Sequence, residues 1–599
     1  MFGFGDVKGP NCWRSCRAVW LGACMTGLTL SAHAQDSQPS HPSPARETTI
    51  GSYDRVPGPP RQTRSVTYAQ HGMAATSDLR ATQAAVDILR EGGSAVDAAI
   101  AANCVLGVVE PMSCGIGGDL FSIVWDARRQ ELTGLNASGR APQLATLAEF
   151  QKRQLQQVPI YGPLSWSVPG CVSGWHDLHT RYGRLPWSRL FQPAIELAEQ
   201  GFPVAAVIAS YWKGSQQRLL ETEEARKTFL IEGQRAPVEG ELMRNPRLAA
   251  TLRRIAQSGA VEFYQGATAD ALDGYSRSQA DGLLRKADLL AHRNEWVTPV
   301  STNYRGYDVW ELPPSGQGIA VLQMLNFLEP HDIRSLGWGS AAAAHLFVEA
   351  KKLAFADRAR FYADPSMAEV PVEHLISKAY AAQRAKLFSA DRALVNVPPG
   401  DPRLKHSDTI YLCVVDNDRN CCSLIQSNFH GFGSHLVPGD LGFALQNRGA
   451  LFALEANHPN CIAPGKRPFH TIIPAMVTRR GRPEFVFGVM GGDMQPQGHV
   501  QVLMNWIDFG MNIQMAGDAA RIRHEGSATP TGLPEEPGGG SVFVESGIPA
   551  GTVEALRALG HTVKTGGSMG GYQGILIDWD KGVLHGATES RKDGAALGY

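Results

Sequence analysis

The sequence predicts a layered α/β protein. Amphipathic helical spacing and short β-branched runs alternate along the chain. The segment from 186 to 300, rich in Leu, Ala, Arg and Glu, reads as mostly helical, and strand-like runs gather after Thr409. At 43% hydrophobic residues the chain carries enough apolar surface for a globular core.

At the N-terminus, Lys8, Arg14 and Arg17 precede an apolar run from Ala18 to Leu30, and Ala32-His33-Ala34 has the small-x-small form of a signal-peptidase site. Residues 1–34 therefore read as a cleavable signal peptide, and the mature protein as periplasmic or secreted. The apolar run is shorter than the ~20 residues a span needs, and no later run is long and apolar enough to span a bilayer, so no stable membrane insertion is expected. Residues 35–65, rich in Ser, Pro, Gln and Arg, read as a flexible lead-in. From Ser77 to Arg90, Ala81, Ala84, Ala85, Ile88 and Leu89 recur at helical spacing, and Glu91-Gly92-Gly93 closes the turn. Ala95 to Val109 is apolar and Ala-rich, and Leu120 to Asp126 reads as a strand. Ser340 to Tyr362 and Val500 to Phe509 read as helices.

Several function classes drop out. Of the ten cysteines, Cys12, Cys16 and Cys24 fall in the signal segment, and the remaining seven have no regular spacing, so no disulfide framework is expected. Adjacent Cys421 and Cys422 on a strand would face opposite ways, and neither Cys-x-x-Cys nor His-Glu-x-x-His occurs; no metal is expected. A net charge of −1 gives no footprint for nucleic acid. Gly115-Ile-Gly-Gly118 lacks the βαβ context of a dinucleotide fingerprint and no Walker-type loop occurs, so no organic cofactor is expected. Gly566-Gly-Ser-Met-Gly570 fits a nucleophile elbow in letters, but the strand-like Ile575-Leu-Ile-Asp578 follows where a helix is needed; it reads as a glycine-rich loop.

The informative stretch is His406 to Phe452. Asp408-Thr409 opens a strand-like run, Ile410 to Val415, which ends at the turn signal Asp416-Asn417-Asp418; Ser423 to Gln426 reads as its partner. A threonine hydroxyl is a weak nucleophile until a base stands beside it, and its own α-amine can be that base once the preceding peptide bond is cut. The plain alternative is a threonine that fits a pleated surface.

These residues resemble the γ-glutamyltransferase (glutathione hydrolase) family. The likeness includes Glu110-Pro-Met-Ser-Cys-Gly-Ile-Gly-Gly-Asp119, Ser167-Val-Pro-Gly170, Tyr182-Gly-Arg-Leu-Pro-Trp187 and the segment Gln192 to Pro203. It continues through Leu312-Pro-Pro-Ser-Gly316, Gly465-Lys-Arg-Pro468, Met490-Gly-Gly492 and the closing Gly598-Tyr599. The resemblance implies a four-layer αββα sandwich of the N-terminal-nucleophile hydrolase type, one interwoven fold rather than the roughly three or four domains that length alone suggests. It implies self-cleavage between Asp408 and Thr409, giving a large fragment 66–408 and a small fragment 409–599 that stay together as a heterodimer. Thr409 would be the nucleophile and Ser427 its supporting hydroxyl, with Gly491 and Gly492 supplying oxyanion amides. The substrate would be a small γ-glutamyl or other acyl amide, with water or an amine as acceptor.

The substrate clamp departs from the family pattern. Ser138 stands where the family carries a carboxylate-binding arginine, and the nearest arginine is Arg140. After Asn447, Arg448 and Leu451 replace a glutamine and an aspartate that hold the substrate's amine, Phe429 replaces an asparagine, and His470-Thr471 replaces a serine pair. Arg140 and Arg448 would favour an acyl group bearing a carboxylate and repel an ammonium. Three readings follow: a γ-glutamyl hydrolase or transferase, an acylase for glutaryl or other dicarboxylic amides, and a binding protein that keeps the fold without turnover.

Overall fold

The computed structural model describes residues 62–397 and 408–599. The expected signal peptide and nearly all of the lead-in lie outside the described residues. The body is tied down before residue 66: Thr63 donates its amide and hydroxyl to Asp518 at 2.7 and 2.8 Å, and Arg64 reaches Thr588 and the Gly594 carbonyl.

Two seven-stranded antiparallel sheets form the centre. The first runs, in spatial order, Ala595–Gly598, Met73–Thr76, Asp408–Val415, Cys421–Phe429, Asp119–Asp126, Glu131–Ala137 and Glu295–Val297. The second runs Thr67–Ala69, Val583–Thr588, Tyr572–Asp578, Arg482–Val489, Ala475–Arg479, Tyr307–Glu311 and Val300–Tyr304. Period-two alternation gives each strand two apolar faces. In Asp408–Val415, Ile410, Leu412 and Val414 pack with the helices Leu79–Arg90, Ala95–Val109 and Cys171–Tyr182. Tyr411, Cys413 and Val415 pack instead between the sheets with Met476, Val486 and Ile575. The outer face of the second sheet is covered by Gly318–Leu328, Ala341–Phe361 and Met494–Leu503. The layers therefore run helices, sheet, sheet, helices. Cys421 joins the inter-sheet core and Cys422 the helix side, as their adjacency requires, and the seven described cysteines are free thiols.

Local signals account for the element ends. Ala95–Val109 starts at a Ser94/Asp97 capping box, and Ser340 caps Ala341–Phe361 through the Ala343 amide. The helix expected from Val500 begins six residues earlier, at Met494. Pro496 sits in its first turn, where a missing N–H leaves no intrahelical bond unmade. Among the described residues no helix is long and apolar enough to cross a membrane.

Candidate active site

Thr409 lies in the middle of the first sheet, 1% exposed. Across from it the register slips: Ile410 pairs with Gln426 but Asp408 pairs with Phe429, so Ser427 and Asn428 together oppose Thr409. Such a bulge bends the strand and re-aims a side chain. Here the Thr409 hydroxyl donates to Ser427 Oγ at 3.2 Å, and Ser427 Oγ also accepts the Phe429 amide at 2.8 Å. Phe429 takes a left-handed conformation (φ 80°), which a non-glycine residue adopts only where its surroundings hold it.

The Phe429 ring lies 4.6 Å from the guanidinium of Arg448, which is completely buried. Nη1 of Arg448 donates to Thr471 Oγ1 at 2.7 Å, while Nε and Nη2 have no hydrogen-bond partner among the described residues. The nearest acid, Asp119, is 3.8 Å away, and its oxygens are already used by the Gly139 amide (2.7 Å), Gln446 Nε2 (2.8 Å) and His470 Nε2 (2.7 Å). Burial, with Asp119 only partly opposing it, holds the Arg448 pKa well below the usual guanidinium range. Burial, then the charge of Arg448, pulls His470 down to about 4, so at neutral pH it is an uncharged ring donating Nε2–H to Asp119. Its Nδ1 is left as an acceptor without a partner among the described residues. A buried guanidinium with idle donors is costly unless something anionic meets it.

Gly491 and Gly492 follow the strand Arg482–Val489 and enter the helix Met494–Leu503 with φ of 113° and 57°, conformations that suit glycine. Gly491 O accepts the Met494 amide at 3.0 Å, which turns the amide of the same peptide plane, that of Gly492, away from the helix. Neither glycine amide has an acceptor among the described residues. The Gly566–Gly570 loop is the neighbour: a Cβ on Gly491 would sit 3.0 Å from the Gly570 Cα.

Two expected substrate contacts turn out to be occupied. Arg140 is not part of the Arg448 cluster. It is paired with Glu295 at 2.7 Å, lies 3.5 Å from Asp364, and donates to the Gly465 carbonyl. Glu295 also pairs with Arg467, so the two arginines share its charge and Arg140 offers no free fork. Asn447 uses its side-chain oxygen on the His430 amide and its nitrogen on the Ile160 carbonyl, bracing the loop that carries Arg448. Conversely, sequence reasoning gave no site role to Asp119, which ends the matched stretch from Glu110, or to Gln317, which directly follows the matched Leu312-Pro-Pro-Ser-Gly316. Away from the site, His345, Glu349 and His561 bring three ligand-type atoms within 4.8 Å of one another. Lys352 and the Leu394 amide already occupy the two oxygens of Glu349, and His345 bonds His561 and the Ser389 carbonyl.

Residues 81–599 match the gamma-glutamyltranspeptidase family model. The chain belongs to that family. It is 36% identical to the glutathione hydrolase-like YwrD proenzyme of Bacillus subtilis (strain 168), over 88% of this chain and 98% of that protein. It is 34% identical to the oxamate amidohydrolase proenzyme of Klebsiella pneumoniae, over 88% and 98%. Among solved structures, the cephalosporin acylase of Bacillus halodurans superposes with a TM-score of 0.82 at 41% identity, covering 92% of this chain and 99% of that one. The chain is thus a hydrolase proenzyme of this family, and its fold is the mixed α/β fold of those relatives.

Proposed function

We propose that the chain is a self-activating threonine amidohydrolase whose acyl donor carries a carboxylate. The observation that carries this is the buried Arg448 guanidinium, linked through Phe429 and Ser427 to Thr409, with two of its nitrogens, Nε and Nη2, idle. Arginine matches a carboxylate through a two-pronged fork. The one acid in the cluster, Asp119, already accepts three hydrogen bonds, so a substrate ammonium would meet the positive guanidinium without a counter-charge. This favours glutaryl-type and other acid-bearing acyl amides over γ-glutamyl donors. The relatives' names are compatible with the class, since oxamate is itself an amide bearing a carboxylate. A γ-glutamyl donor remains the second reading, because its α-carboxylate could meet the same fork and several relatives are named glutathione hydrolases.

In this mechanism the Thr409 hydroxyl first attacks the Asp408 carbonyl, and water resolves the ester, leaving fragments 66–408 and 409–599 of an N-terminal-nucleophile hydrolase. The freed α-amine, with an ordinary pKa of ~7.7–8.0, then takes the hydroxyl proton as Thr409 attacks the substrate amide carbonyl. The Gly491 and Gly492 amides receive the developing oxyanion and the amine departs with a proton. Water or a second amine cleaves the acyl ester and regenerates the hydroxyl. The N-terminal 34 residues direct the chain out of the cytoplasm.

Intact-mass analysis of the purified protein beside Thr409→Ala tests the reading. The expected result is two fragments in the wild type, the smaller starting at Thr409, and one uncut, inactive chain in the variant. A wild-type chain that turns over substrate while uncut would sink it.

A further inference from the structure

We infer that Gln317 is a positioning residue that holds the oxyanion turn to the acid-reading arm of the site. This rests on the reading of the Gly491 and Gly492 amides as oxyanion donors. Gln317 is completely buried, directly before the helix Gly318–Leu328. Its Nε2 donates to two backbone carbonyls, Thr471 O at 2.7 Å and Gly492 O at 2.9 Å. Its Oε1 accepts Arg358 Nη1 at 2.6 Å, and Arg358 also grips Asp493, the residue after the turn, at 2.6 and 3.2 Å. Chemistry fixes which end of the amide is which, because a flipped side chain would set its oxygen against two carbonyls and its nitrogen against a guanidinium.

Two glycines in sequence leave the turn with wide conformational freedom. An oxyanion donor must be aimed before the reaction, and small misplacements are costly. The carbonyl of Gly492 is held from two sides, by Gln317 and by the Gln495 amide at 3.0 Å. Thr471, the other carbonyl on Gln317, is the same residue whose hydroxyl receives Arg448. One side-chain amide therefore joins the turn to the loop before the strand Ala475–Arg479, where the Thr471 hydroxyl receives Arg448. Gln317 touches neither substrate nor nucleophile in this role; it acts through Gly492.

The test uses Gln317→Leu and Gln317→Glu, assayed with an acyl donor and with its thiono analogue, in which C=S replaces C=O. Sulfur is a poor acceptor, so the wild type should prefer the oxo donor strongly if amides stabilise the oxyanion. Both variants should lose 10- to 100-fold in kcat, keep KM within about twofold, and show an oxo-to-thiono preference compressed at least tenfold. That ratio is independent of how much of the sample is folded. A wild type without oxo preference overturns the oxyanion reading itself. A wild type with that preference, beside variants that retain it or change only KM, overturns the role of Gln317 alone. The self-cleavage rate of each variant that keeps its melting transition is followed as well, where slowing supports the role and a normal rate opposes it. Unfolding of both variants overturns positioning in favour of a purely structural role.

Discussion

Replacing Arg448 by Met separates recognition of the acyl group from catalysis. The guanidinium is wholly buried and its counter-charge, Asp119, sits 3.8 Å off and is engaged elsewhere. A substrate carboxylate at a similar distance would gain about 4 kcal/mol at an effective dielectric of about 20. Removing one partner of a buried pair costs about 3–5 kcal/mol in general. Taking about 3–4 kcal/mol, kcat/KM for a glutaryl anilide should fall roughly 200- to 1,000-fold. The matched neutral donor, a valeryl anilide, should change less than about threefold. Asp119 keeps the Gly139, Gln446 and His470 bonds in the variant but loses the cation beside it, so the melting temperature should fall, and the acid-to-neutral ratio, which does not depend on the folded fraction, is the readout. Arg448→Lys should fall between, since a point charge lacks the fork. Side-by-side chromogenic assays of acid and neutral anilides read the ratio directly. If Arg448→Met leaves the acid-to-neutral ratio unchanged, Arg448 does not read the acyl carboxylate.

Three further outcomes are expected. Ser427→Ala removes the partner of the Thr409 hydroxyl at 3.2 Å and should lower kcat by about 3- to 10-fold, the range of one neutral hydrogen bond, in single-turnover assays; an unchanged rate would make Ser427 incidental. Gly491→Ala must adopt φ 113° with its new Cβ 3.0 Å from Gly570, and kcat should drop about 10²- to 10³-fold, with near-normal turnover as the contrary result. Glu110 is buried near Lys592, Asp78 and Asp593, and burial pushes its carboxyl from 4.5 up to about 7. The folded chain then holds that proton where the unfolded chain has lost it, so this stabilisation is complete below pH 4.5 and disappears as pH rises to 7. Wild-type stability measured against Glu110→Gln should decline by at most about 3 kcal/mol over that window, and a pH-independent difference would contradict the assignment.

How much was legible depended on how local each cause was. The helix expected from Ser340 to Tyr362 spans Ala341–Phe361, because a serine cap and a stripe of Leu and Ala are features of neighbouring residues. The Asp416-Asn417-Asp418 turn behaves likewise: Asp416 Oδ1 accepts the Asp418 and Asn420 amides at 3.0 and 2.9 Å. The fates of Arg140 and Arg448 were not separable in this way. Both looked available to a carboxylate, yet Glu295, 155 positions along, neutralises one while Nε and Nη2 of the other find no hydrogen-bond partner among the described residues.

By itself the sequence determined which segments form strands and which form helices, the threonine at the mouth of a strand, and the glycine pair after another. Those follow from periodicity, caps and backbone freedom, which act over a few residues. Tertiary structure decided which polar groups were left wanting partners. Asp119, Gln317, Arg448 and His470 are hundreds of positions apart at the extremes, and only the pairing of strands and the seating of helix Gly318–Leu328 bring them together. A side chain's charge is written in the chain, but whether it is buried, paired or idle depends on neighbours that the fold supplies.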